Sequence, residues 1–197
     1  GFLASSFAAE IKAVYLIPAN RTYKEEYKKS INWSIKNLQK WYYGQLGDRA
    51  FPLSESFVEV FGLPHEAEWY ANNPRGTDLK DFFIANVAED IKDFYPGGLW
   101  QNDKILLFFI DADIACGELV YSGFGNGIAG EAFFDANMLR VLSGEKLVLC
   151  SGEVYPYIER REDFIGILGH ELGHAFSLMH PPDYPNGPIA STTIMGS

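Results

Sequence analysis

Three of the chain's four histidines fall within eleven residues, His170-Glu171-Leu172-Gly173-His174-Ala175-Phe176-Ser177-Leu178-Met179-His180. His170 and His174 are four positions apart, so on an α-helix they stand one turn above another on the same face, with Cβ atoms roughly 5–6 Å apart. Two imidazoles placed in this way converge on one tetrahedral ion at about 2.0–2.1 Å each, the bond length of zinc. Glu171 is one step round the helix. That is a poor position for completing the ligand set and a good one beside water on the metal, so its expected role is general base. His180 lies six residues beyond His174, where a continuing helix would turn it away from the metal face. The chain supplies a stop: Pro181 disfavours helical dihedrals at His180, and Pro182 prevents the helix from resuming. A helix ending between Phe176 and His180 is therefore expected, with His180 returning as a third ligand. Three protein ligands to one Zn2+ leave a coordination position open, which is the pattern of a catalytic site.

The elements that must position these side chains follow from periodicity. Residues 12–17 are β-rich and stop at Pro18, predicting a first strand. Thr22-Tyr23-Lys24-Glu25 fits a capping box. Tyr23, Tyr27, Ile31, Ile35, Leu38 and Tyr42 then recur at helical spacing, predicting a long helix to about Tyr43, ended by Gly44 and Gly47. Residues 57–61 alternate as a strand. Thr77 caps a predicted second helix that carries Leu79, Phe83, Val87, Ile91 and Phe94 and is closed by Pro96-Gly97-Gly98. The apolar run 105–110 predicts a central strand buried on both faces. The histidine-bearing helix is expected to begin near Arg161. Its Gly166, Gly169 and Gly173 each cost about 1 kcal/mol relative to Ala, and close approach of the helix to the sheet would justify them. Strands alternating with helices indicate an α/β layer with a mixed sheet. No repeat or long linker divides the chain, so residues 1–197 read as a single domain.

At this point the chain resembles the metzincin clan of zinc endopeptidases, whose signature is H-E-x-x-H-x-x-G-x-x-H followed by a Met-turn. The match covers roughly the last 30 residues, and no subfamily is identified. The resemblance implies a mixed, mostly parallel twisted sheet packed on long helices, with the ligands His170, His174 and His180 and the base Glu171 on and just beyond the active-site helix. It makes Met195 the Met-turn methionine. It also implies an edge strand over about residues 127–134, including Gly127, Ile128, Ala129 and Gly130, that pairs with extended substrate by strand addition; the residues themselves read equally as a glycine-rich surface hairpin. The chain departs from the signature at Ser177, where the family has glycine; a left-handed backbone there disfavours Ser by roughly 1 kcal/mol. The sequence also stops two residues after Met195, short of the segment that walls one substrate pocket in the family, which implies truncation or an open pocket.

The bulk composition fits a folded enzyme: 197 residues, 47% hydrophobic and 21% charged, enough for a substantial core. A net charge of −10 argues against nucleic acid or an acidic membrane surface as partner. No apolar run reaches the roughly 20 residues of a membrane span. The N-terminus lacks the basic region of an intact signal peptide. Cys116 and Cys150 read equally as a disulfide, which suits a secreted or extracytoplasmic protein, and as two buried thiols. Asp111 and Asp113 read as a calcium or carboxylate-pair site or as a solvated strand end, His65 as an accessory ligand or a loop histidine, and Tyr184 as an oxyanion donor or a packing residue. The expected activity is zinc-dependent hydrolysis of peptide bonds in a peptide or protein substrate. Its rivals are a non-catalytic zinc-containing binding protein on a degenerate protease fold and a zinc amidase acting on a non-protein substrate.

Overall fold

The computed structural model describes residues 9–45, 50–74, 79–92, 94, 104–114, 123–126, 130–147, 161–178 and 180. Along the chain these form β1 (Glu10–Ile17), α1 (Glu25–Gln45), β2 (Leu53–Gly62), α2 (Ala67–Asn72), α3 (Leu79–Ile91), β3 (Lys104–Ile110), β4 (Gly123–Asn126), β5 (Glu131–Phe134), α4 (Ala136–Ser143) and α5 (Arg161–Ala175). The strands make one five-stranded sheet in the order β2-β1-β3-β5-β4. Four strands are mutually parallel and β4 runs antiparallel to β5. The sheet is therefore mixed and mostly parallel, as the sequence led us to expect.

The central apolar run owes its continuity to helices on both sides. Ile105, Leu107 and Phe109 of β3 join one core, with Tyr27, Ile31, Ile35, Leu38 and Tyr42 of α1, Met138 and Leu142 of α4, and Phe164, Leu168 and Leu172 of α5. Leu106, Phe108 and Ile110 join the other, with Tyr70 of α2 and Phe83, Val87 and Ile91 of α3. Alternate side chains of one strand thus enter opposite cores, so neither face of the strand tolerates polar residues. Phe109 stacks on Phe134 at 4.8 Å between ring centroids, and Phe108 on Phe133 at 5.0 Å. These pairs tie β5 to β3 on both faces, and each buried ring contributes roughly 1.5–3 kcal/mol.

Several boundaries differ from the sequence reading. α1 begins at Glu25, so Glu25 opens the helix instead of closing a capping box, and Tyr23 is exposed. Helices α2 and α4 were not foreseen. α4 is capped by Asp135, whose carboxylate accepts from the backbone N–H groups of Asn137 and Met138, and it ends at Gly144 in the left-handed conformation. Both signals, Asp135 and Gly144, are present in the sequence.

The largest correction concerns the edge of the sheet. Residues 127–134 were expected to form the edge strand. Gly127, Ile128 and Ala129 lie outside the described residues, and β5 is an interior strand paired on both sides, with β3 and with β4. The Gly130 carbonyl accepts from Leu106 N–H of β3 at 2.9 Å, so Gly130 faces into the sheet. Among the described residues, the edge strand next to α5 is β4.

Candidate metal centre

α5 carries its charges where a helix favours them, with Glu162 and Asp163 in the first turn. Phe164, Leu168 and Leu172 form its buried stripe. The long helix α1 fixes it from the side. The Tyr42 hydroxyl donates to the Gly169 carbonyl at 3.1 Å, and burial pushes the Tyr42 phenol up to about 12, so it stays a donor. The Tyr42 ring also meets Phe51 and Phe176. Gly169 and Gly173 are buried, and the contact at Gly169 is with α1, whereas close approach to the sheet was expected. Among the described residues, nothing lies within 4 Å of where a Cβ at Gly166 would stand, so packing among them does not explain that glycine.

The helix stops where the proline pair demanded. Phe176 N–H closes the last turn on Leu172. Ser177 N–H then donates to the His174 carbonyl at 2.8 Å, and Leu178 N–H to the Gly173 carbonyl at 2.9 Å. This pair of bonds is a Schellman closure, and Ser177 occupies its left-handed position with φ of 63°. Serine thus adopts the conformation for which the family signature uses glycine.

The turn delivers His180 to the other two histidines. Ring centroids are 4.7 Å apart for His170–His174, 4.8 Å for His174–His180 and 5.1 Å for His170–His180. One ligand nitrogen from each lies within 4.8 Å of the others, and burial falls from His170 to His180. The donor geometry fits a metal. His174 Nδ1 donates to the Leu178 carbonyl at 3.0 Å, which leaves the Nε2 lone pair for a ligand. That Nε2 stands 3.1 Å from His170 Nε2. Two nitrogens bound at about 2.0–2.1 Å to a tetrahedral ion would lie about 3.3 Å apart. Two lone pairs facing each other at this distance repel unless a cation or a proton lies between them.

Glu171 points elsewhere, as a residue one step round the helix must. Its Oε2 accepts the Gly125 N–H of β4 at 2.5 Å. The carboxylate is thereby bonded to the strand that ends the sheet among the described residues. Gly125 belongs to a glycine-rich stretch over residues 122–130. The alternation Gly123-Phe124-Gly125-Asn126-Gly127 was the available signal, because glycine inside a strand marks close approach of another backbone.

Asp113 forms a two-pronged ion pair with Arg140 at 2.6 and 3.0 Å. Asp111 is buried at the end of β3, and desolvation raises its pKa. His65 Nδ1 lies 3.0 Å from Asp90 Oδ2, and its ring stacks on Trp69. Among the described residues, neither the aspartates nor His65 joins a metal-ligating group; the histidine triad does. Met195, Tyr184, Cys116 and Cys150 lie outside the described residues.

No protein-family model matches the chain, and no curated protein matches its sequence. Among solved structures, wild-type OgpA from Akkermansia muciniphila superposes with a TM-score of 0.56 at 16% identity, covering 88% of this chain and 49% of OgpA. A catalytically inactive OgpA in complex with an O-glycopeptide substrate, glycodrosocin, superposes with a TM-score of 0.55 at 16% identity over the same shares. The chain thus spans about half the length of OgpA and shares its fold over that span. Fold and site together define an α/β protein with a metal-compatible His triad at the end of its last described helix. No helix among the described residues is long and apolar enough to cross a membrane.

Proposed function

We propose that this chain is a zinc-dependent peptidase that hydrolyses peptide bonds in a substrate lying extended along β4. The observation that carries the reading is the placement of Glu171. Glu171 follows His170 on the helix that carries two of the three converging imidazoles, and its carboxylate accepts from the backbone of β4.

His170, His174 and His180 would hold the ion. When bound, zinc would polarise the scissile carbonyl and bring the pKa of its water toward about 7. Glu171 takes a proton from the attacking water and returns it to the leaving amine. The Leu178 carbonyl keeps His174 in the tautomer that ligates through Nε2. Strand β4 holds the substrate backbone. Gly125 directs its N–H to Glu171 rather than to β5, and in an antiparallel pair both backbone groups of such a residue face away from the partner strand. Its carbonyl would thus be turned away from β5, where it could accept an N–H from an extended peptide. The signature resemblance at His170, Glu171, His174 and His180 supports zinc and endopeptidase action. The fold shared with OgpA, whose inactive form was crystallised with an O-glycopeptide, supports a peptide substrate and makes glycosylated peptides the first to test.

The test is digestion of a mixed peptide and O-glycopeptide library, with metal analysis of the same protein. Cleavage that is abolished by a chelator and restored by zinc is expected. One zinc per chain with no cleavage anywhere in the library would favour a non-catalytic binding protein.

A further inference from the structure

Gly125 is glycine for a reason other than backbone freedom. The glycines with positive φ among the described residues are Gly130 and Gly144, so Gly125 adopts a conformation open to any residue. Space is what excludes a side chain. A Cβ at Gly125 would stand 2.2 Å from the Glu171 carbonyl oxygen and 2.7 Å from His174 Cβ. The first contact is with helix backbone, which cannot turn aside as a flexible side chain can. β4 therefore rests directly on the turn of α5 that carries one candidate ligand and the candidate base. The Gly125 N–H reaches round the strand edge to Glu171 Oε2 at 2.5 Å. An N–H bonded to a carboxylate is roughly twice as strong as a neutral pair and strongly directional.

We propose that Gly125 is the positioning residue for Glu171. Its N–H holds Oε2 against the edge strand, which directs the other carboxylate oxygen to the proton transfer. Its missing Cβ sets the distance between substrate-binding strand and metal-binding helix. The strand that receives the substrate is thereby the strand that aims the base, so substrate and base share one reference frame. The proposal rests on the peptidase reading above and adds a residue to it.

The experiment is a double-mutant cycle on the full chain. Gly125→Ala must push β4 away from α5, and a displacement near 1 Å at a catalytic group costs on the order of 10²-fold in rate. The expected result is a kcat lowered about 10²-fold, a KM changed less than about threefold, and one zinc per chain retained. In a Glu171→Gln background the same substitution should change the residual rate less than about threefold, because residues that act as a unit are non-additive. Equal losses in both backgrounds would mean that Gly125 acts on the fold alone, and the proposal would be overturned while the peptidase reading stood.

A second readout needs no variant at Gly125. With 15N-glycine labelling, the Gly125 amide should shift and lose exchange protection in Glu171→Ala and stay unchanged in the exposed control Glu162→Ala. An unresponsive amide overturns the proposal whatever the activity. A responsive amide in a chain that cleaves no peptide supports the hydrogen bond and overturns the peptidase reading instead.

Discussion

Replacing Ser177 with glycine should raise the melting temperature by about 2–3 °C, although it removes a side chain. The magnitude comes from the helix end. Ser177 has φ of 63°, a region that costs a residue with a Cβ roughly 1–2 kcal/mol. Glycine removes that strain and gives back about 0.4–1 kcal/mol through its greater freedom in the unfolded chain. The difference is a gain of about 0.5–1 kcal/mol. For a chain of this size each kcal/mol moves the midpoint by about 2–4 °C. Ser177→Val should act in the opposite sense, by about 1 kcal/mol or more, because a β-branched side chain fits the left-handed region worst. The two variants also separate in metal binding. The Schellman closure at Ser177 brings the Leu178 carbonyl to His174 Nδ1 and turns the chain toward His180. Valine should therefore weaken zinc binding in a chelator competition, and glycine should leave it intact. Thermal unfolding with and without zinc, beside that competition, checks both points. A valine variant that matches wild type in both assays would refute the left-handed turn and the route by which His180 reaches the cluster.

Removing either helical ligand, His170→Ala or His174→Ala, should nearly abolish zinc binding in metal analysis; full occupancy in the double variant would sink the ligand assignment. Glu171→Gln should retain one zinc and lose at least about 10²-fold in peptide hydrolysis, as expected for a positioned general base. Undiminished cleavage would show the mechanism to be wrong even with the metal site right. Stability should fall as pH rises from about 4.5 to about 7, because burial raises Glu131 to about 7 in the folded chain from an ordinary 4.5. In that window the folded state binds the extra proton, so the stabilisation is complete at the acidic end and lost at the alkaline end. Glu131 is almost fully buried, and its Oε2 has no hydrogen-bond partner among the described residues. Glu131→Gln should therefore add about 1–3 kcal/mol at pH 8 and little at pH 4.5 in denaturant melts. Equal effects at both pH values would contradict the raised carboxyl.

The sequence by itself determined those features of the site that depend on neighbours along the chain. The i, i+4 pair His170 and His174 shares a helix face in any fold that keeps the helix, and Pro181 and Pro182 force the helix to stop before His180. Ile105 to Ile110 of β3 could be read as buried on both faces because no position in it is polar. Other features were decided by contacts between distant segments. Whether residues 127–134 or residues 123–126 form the edge depends on which strands pair, and β5 is held inside by Phe108, Phe109 and β4, none of which the local pattern of residues 127–134 encodes. The same holds for Gly125. One glycine among several in a flexible-looking stretch became the contact for Glu171, because only the antiparallel turn of β4 onto α5 brings positions 46 residues apart to 2.5 Å. Asp113 gained Arg140 as a partner in the same way, through α4, a helix whose Asp135 cap was visible and whose place against β3 was not. Local spacing fixes which side chains can act together on one element. The pairing of strands and the seating of α5 fix what stands opposite them.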